Sequence, residues 1–285
     1  KEDGCLIKTA YHIDLKPNQD LLFIPIGDIQ YGTDECDVER LKRLVTWCIK
    51  KEKAGYLVRL CGLGDYTDLS SPSEKVKLKG THETTQKSID ELAMLYLGQL
   101  LSILEPLKGR FLTLLTGHHV HDFSSNKKTG GWGGRNSDQW LAHHLGCDYA
   151  GDGHTLFRLQ FPHDTHLTVG AWHGQGGGQT PGWRVNMRIR QSDIYPAADI
   201  VIQGHDNAKL AYPRSGVDFD RGFIKRLSVG SGSFQRAYLD GDTQAGYAEK
   251  WGLVPTDLGV TIITVSVEKR DGKWVETGRY PAMPF

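Results

Sequence analysis

No apolar stretch of the sequence reaches about 18 residues, so no transmembrane helix is expected. Charge of one sign is missing too: 34 basic side chains face 34 acidic ones, which argues against a broadly basic nucleic-acid binder. Cysteine is sparse. Cys5, Cys36, Cys48, Cys61 and Cys147 are odd in number and lack CxxC spacing, so they read as reduced thiols and not as a disulfide framework. There is no internal repeat, low-complexity tract or evident linker in the 285 residues, and a single domain is expected over 1–285. The chain opens on Lys1 and not on methionine, which leaves room for an upstream segment; a cytoplasmic location is the default expectation.

The remaining composition, 39% hydrophobic and 24% charged, is that of an ordinary globular chain. Short apolar runs alternate with helical patterns. "LLFIPIGDIQYG" (21–32) reads as a buried strand running into a turn, and "DVERLKRLVTWCIKKEK" (37–53) as a helix capped by Asp37. A strand over 56–65, a helix over roughly 84–104 ended by Pro106, and a strand over 110–117 follow. A short helix is expected near 137–145, and strands at 155–161, 166–172, 199–203, 224–229, 259–268 and 273–279. Segments 69–82, 124–136 and 173–184 read as loops. Strand–helix–strand order predicts an α/β chain, the later strands forming a second sheet.

Five apolar runs end in polar groups that can bind something: Asp28 and Gln30, Asp65 and Asp68, the cluster His118, His119, His121 and Asp122, then His173, and finally His205, Asp206 and Asn207. Strand carboxyl ends are where open α/β sheets place their sites. Any one Gly-Asp pair suits an Asx turn or a helix cap equally well. Twelve histidines also make a chance cluster a serious competitor. The series as a whole is harder to explain by packing.

In order and spacing, "GDIQ" (27–30), "GDYTD" (64–68), "GHH" (117–119), "WHG" (172–174) and "GHDN" (204–207) resemble the calcineurin-like metallophosphoesterases. That pattern runs Asp-x-His, Gly-Asp-x-x-Asp, Gly-Asn-His, a lone His and Gly-His-x-His. "SVGSGSF" (228–234) resembles the strand end that often follows, giving a motif core of about 21–235. The resemblance implies a two-sheet β-sandwich flanked by helices, with a dinuclear site of divalent ions (Mn, Zn, Fe or Mg) that activates water and holds phosphate oxygens. Carried over by position, one ion would take Asp28, Gln30, Asp65 and Asn207, and the other Asp65, His118, His173 and His205, with Asp65 shared. His119 would protonate the leaving oxygen and Asp68 would orient it.

Three positions depart from the family pattern: Gln30 and Asn207 stand where histidine is usual, and His118 where asparagine is. One site thereby becomes all-oxygen and the other histidine-rich. Arg135 and Arg184, with Arg188 and Arg190, are candidate phosphate contacts or solvated surface residues, and Trp132, Trp183 and Tyr212 are candidate base-stacking groups. The expected function is phosphodiester hydrolysis, with a nucleic acid among the candidate substrates. The alternatives are a phosphomonoesterase and a non-catalytic binding module whose metal site has degenerated.

Overall fold

The computed structural model describes residues 7–16, 18–69, 83–124, 131–162, 165–176, 178, 180–219, 222–239, 247–270 and 273–282. Residues 70–82 and 125–130 of the loops expected at 69–82 and 124–136, together with Cys5 and His163, lie outside these residues.

Two six-stranded mixed sheets pack face to face. The first has the order β12-β11-β2-β3-β4-β5, built from β2 (Leu21–Ile26), β3 (Leu57–Gly62), β4 (Phe111–Leu115), β5 (Asp148–Gly151), β11 (Ile262–Arg270) and β12 (Lys273–Ala282). Its centre, β2 to β5, is parallel. The second has the order β1-β6-β7-β8-β10-β9, from β1 (Ile7–His12), β6 (His154–Gln160), β7 (His166–Trp172), β8 (Ile200–Gln203), β9 (Lys209–Asp218) and β10 (Gly222–Ser231).

The apolar run of β2 does not alternate with polar residues because both of its faces are covered. Leu21 and Phe23 enter the core between the sheets, beside Phe157, Val169, Ile202 and Ile263. Leu22, Ile24 and Ile26 point the other way, under helices α1 (Val38–Lys53), α2 (Glu83–Leu104) and α3 (Ser137–Leu145). Helix α4 (Pro181–Ile194) lies on the outer face of the second sheet, against β8 and β10. The result is four layers, helix–sheet–sheet–helix, the architecture that the motif resemblance implied. A last short helix, α5, spans Tyr247–Lys250. No helix among the described residues is long and apolar enough to cross a membrane.

The helices start where local chemistry says they should. The Asp37 side chain accepts from Arg40 N at 2.9 Å, and Lys50, Lys51 and Lys53 face the carbonyl end of α1. Asn136 and Gln139 form a capping box on α3, and Gly146 ends it at φ 70°. Thr180 caps α4 and Pro181 occupies its first turn. Three strands, β1, β5 and β9, are additions to the sequence reading, and α4 takes over the end of the segment read there as loop 173–184.

Candidate metal centre

All five motif loops leave the carboxyl ends of β2, β3, β4, β7 and β8 and meet at one end of the sandwich. The loops after β2 and β3 zip together through Asp28 N to Gly64 O (3.1 Å), Ile29 N to Asp65 O (2.9 Å) and Gln30 N to Asp65 O (3.0 Å). Asp28 Oδ2 then accepts from His205 N at 2.8 Å, which ties the first sheet to the second. The crossing is close enough to require glycine. A Cβ on Gly117 would sit 2.1 Å from Asp65 N, and one on Gly64 2.5 Å from Gly117 Cα.

Asp65, His118, His173 and His205 each offer a ligand atom within 4.8 Å of the other three. The three imidazoles stand edge to face, with ring centroids 4.6–5.2 Å apart. His173 Nδ1 donates to Leu63 O at 2.6 Å, so its Nε2 carries the lone pair when the ring is neutral. That Nε2 is buried, 3.4 Å from Asp65 Oδ2, and makes no hydrogen bond. His118 Nδ1 and His205 Nδ1 lie at hydrogen-bond distance, 3.2 Å, the tautomer deciding which donates. Four side chains with ligand atoms gathered in one place would suit a cation between them. Three nitrogens and a carboxylate suit Zn²⁺ or another borderline ion.

The oxygen-rich set surrounds the same carboxylate differently. Gln30 Nε2 donates to Asp65 Oδ2 at 3.1 Å, while Gln30 Oε1 and Asn207 Oδ1 are buried without a hydrogen-bond partner among the described residues. Asp28 falls outside the four-residue cluster.

Charges within the bare chain report the same crowding. Burial works against ionisation of Asp65, but the neighbouring charges of His173 and His119 outweigh it and hold the carboxyl well below the usual range. Burial pushes Asp28 up to about 7, with Asp65 adding to the rise and His173 opposing it. Burial, then His173 and His118, drive His205 down to about 4. For His173 burial lowers the pKa, yet Asp65, Asp28 and the Leu63 carbonyl raise it to about 9.

Beside the cluster, His119 Nδ1 meets Asp68 Oδ1 at 2.6 Å, and His119 N donates to Asp65 Oδ1 at 2.9 Å. Both side chains are 24% exposed, so this pair faces outward from the buried ligands. His121 and Asp122, the rest of the histidine cluster, part ways. His121 Nε2 meets buried Asp90 of α2 at 2.7 Å, whereas Asp122 is exposed.

The arginines divide. Arg184 lines a cavity that opens beside His205 and Asn207. Arg135 lies over the Trp132 ring, 5.1 Å from its centroid, in a separate hollow with Gln139 and His143. Arg188 is neither a phosphate contact nor a surface residue. It is fully buried, and its Nη2 donates to Asp206 Oδ1 at 2.7 Å. Trp183 covers the glycine loop closely: a Cβ on Gly178 would fall 2.2 Å from its ring. Sequence reasoning missed Asp138, a buried acceptor for Gly117 N at 3.2 Å, and the Arg188–Asp206 pair. Asp206 lies inside a motif, but Asp138 and Arg188 stand well away from all of them along the chain.

No protein-family model and no curated protein matches the chain. Among solved structures it is similar to Vacuolar Protein Sorting 29 from Cryptosporidium parvum, at 13% identity over 94% of this chain and 99% of that one, with a TM-score of 0.38. It is similar to the calcineurin-like phosphoesterase YfkN from Bacillus subtilis, at 12% identity over 93% and 90% and a TM-score of 0.38. A third is the NAD nucleotidase NadN of Haemophilus influenzae, at 9% identity over 93% of this chain and 50% of that one, with a TM-score of 0.40.

Proposed function

We propose that the chain is a metal-dependent phosphoester hydrolase acting on phosphodiesters. The observation that carries this reading is the buried Nε2 of His173. With Nδ1 committed to Leu63, the neutral ring turns its Nε2 lone pair toward Asp65 at 3.4 Å. Asp65, His118, His173 and His205 would hold one divalent ion, and Asp28, Gln30 and Asn207 would share Asp65 to hold a second. Bound there, divalent cations supply Lewis-acid stabilisation of phosphate charge and acidify water.

The chain's own residues do the rest. Asp68 orients the His119 ring through Nδ1, leaving Nε2 to hand a proton to the departing oxygen. The bond from His119 N to Asp65 Oδ1 fixes that acid relative to the ligand cluster. A diester leaving group needs this proton because an alkoxide is a poor leaving group near neutral pH.

Hydrolysis of bis(p-nitrophenyl) phosphate and p-nitrophenyl phosphate by metal-reconstituted protein, across Mg²⁺, Mn²⁺, Zn²⁺ and Ni²⁺, tests the reading. The diester should turn over faster. Faster turnover of the monoester would make the chain a phosphomonoesterase. Tight metal binding with no hydrolysis of either would make it a binding module.

A further inference from the structure

The cavity beside the ligand cluster has a volume of about 250 Å³ and runs from His205 and Asn207 to Gln235, Arg236, Leu253 and Val254. At roughly 30 Å³ per water, it is room for about eight waters, more than one phosphate group fills. Two guanidinium groups, Arg184 and Arg236, line it against a single carboxylate not already paired, that of Glu35. Asp206, also in its wall, is neutralised by Arg188.

Both arginines are placed for use. Arg236 is anchored by its backbone N to Glu35 O at 2.8 Å, and Asp37 holds one corner of its guanidinium at 3.2 Å. The side chain is still 42% exposed. Arg184 Nε is buried and makes no hydrogen bond among the described residues. A buried guanidinium donor without an acceptor costs stability unless a ligand oxygen supplies one. Asn207 Oδ1, also in the lining, has no hydrogen-bond partner among the described residues. Ala248, Leu253 and Val254 supply apolar lining.

We infer that this cavity binds the non-reacting arm of the substrate, and that the arm is short and ends in a second acidic group, phosphate or carboxylate, held by Arg184 and Arg236. This rests on the phosphoester reading above and narrows it. The reacting phosphate lies at the ligand cluster, the carbon linker passes Leu253 and Val254, and the second anion meets the guanidinium pair. A site so bounded favours a small molecule over a nucleic-acid strand.

Calorimetric binding of three non-hydrolysable probes to metal-reconstituted protein tests this: propylphosphonate, 3-phosphonopropionate and propane-1,3-diphosphonate. At least one doubly acidic probe should bind about 10-fold or more tighter than propylphosphonate, since a hydrogen bond to a charged group is worth that much or more. Which one it is distinguishes carboxylate from phosphate. Arg184→Met and, separately, Arg236→Gln should each erase most of that preference and leave propylphosphonate affinity within about threefold. Equal affinity of the three probes, or a preference unchanged in both variants, overturns the inference while leaving the phosphoester reading intact. Tighter binding of a thymidine octanucleotide than of any probe overturns it in favour of a nucleic acid. Failure of every phosphonate to bind overturns both readings.

Discussion

Among the described residues, six non-glycine positions hold positive φ, and five of them are Asp28, Gln30, Asp65, His205 and Asn207, at 49–69°. Each such backbone costs roughly 1 kcal/mol or more, and strain of this kind persists where surrounding contacts fix it for a purpose. Here it turns five side chains towards one place. Asp65→Asn keeps both the shape and the tolerance of that backbone and removes only the charge. We expect it to lower activity by more than about 100-fold, against about 10-fold for Gln30→Ala, which removes a neutral dipole. Similar residual rates at saturating metal would contradict the shared role of Asp65. His119→Ala should cost about 10²–10⁴-fold in turnover, less for substrates with acidic leaving groups, with metal content unchanged. Metal loss in that variant would move His119 into the ligand set. These residues were legible in the sequence because each stands one to five positions beyond an apolar run. Asp138 was not, because its meaning depends on Gly117, 21 residues away in the chain.

Helix α4 shows how an element outside the motifs governs them. It crosses the back of the second sheet and sends Arg188 through to Asp206, between the two candidate ligands His205 and Asn207. Gly230 leaves the room, since a Cβ there would lie 2.6 Å from Arg188 Nη2. The Arg188 Nε and Nη1 and the Asp206 Oδ2 are buried without hydrogen bonds among the described residues, so the ion pair itself carries the compensation. Arg188→Met leaves Asp206 as a buried unpaired charge and should destabilise the fold by about 3–5 kcal/mol in chemical denaturation. Adding Asp206→Leu should restore much of the stability but not metal affinity, because the turn loses its tether to α4. Recovery of both would mean the pair serves packing alone. From sequence, Arg188 read as either a phosphate contact or a surface residue, because the α4 pattern is weakly amphipathic and its burial comes from the sheet. Strand β9 was missed for a related reason. It is an edge strand carrying Pro213, and edge strands tolerate the proline and polar residues that obscure a period of two. β5 is only four residues long, too short to show any period.

At the scale of the whole molecule, the two sheets are joined at the site end by groups that attract a cation or, lacking one, a proton. In the metal-free chain His173 titrates near 9, above the 6.5 of an unperturbed histidine. Its protonated form therefore stabilises the metal-free fold fully below about pH 6.5, and that contribution disappears as pH rises through about 9. A cation needs the same Nε2 unprotonated and so competes with that proton. His205, driven down to about 4, is already neutral at pH 7 and has nothing to release. Asp28, near 7, releases a further fraction only if the oxygen-rich site fills. Adding Zn²⁺ or Mn²⁺ at pH 7.5 in weak buffer should thus release about one proton per chain, read with an indicator dye. Metal affinity should climb from pH 6.5 to 9 while the stability of the metal-free protein falls over the same interval, so the rise in Tm on metal addition should widen with pH. No proton release, or an affinity independent of pH across that window, would remove His173 from the ligand set and with it the bond that a cation makes between the two sheets.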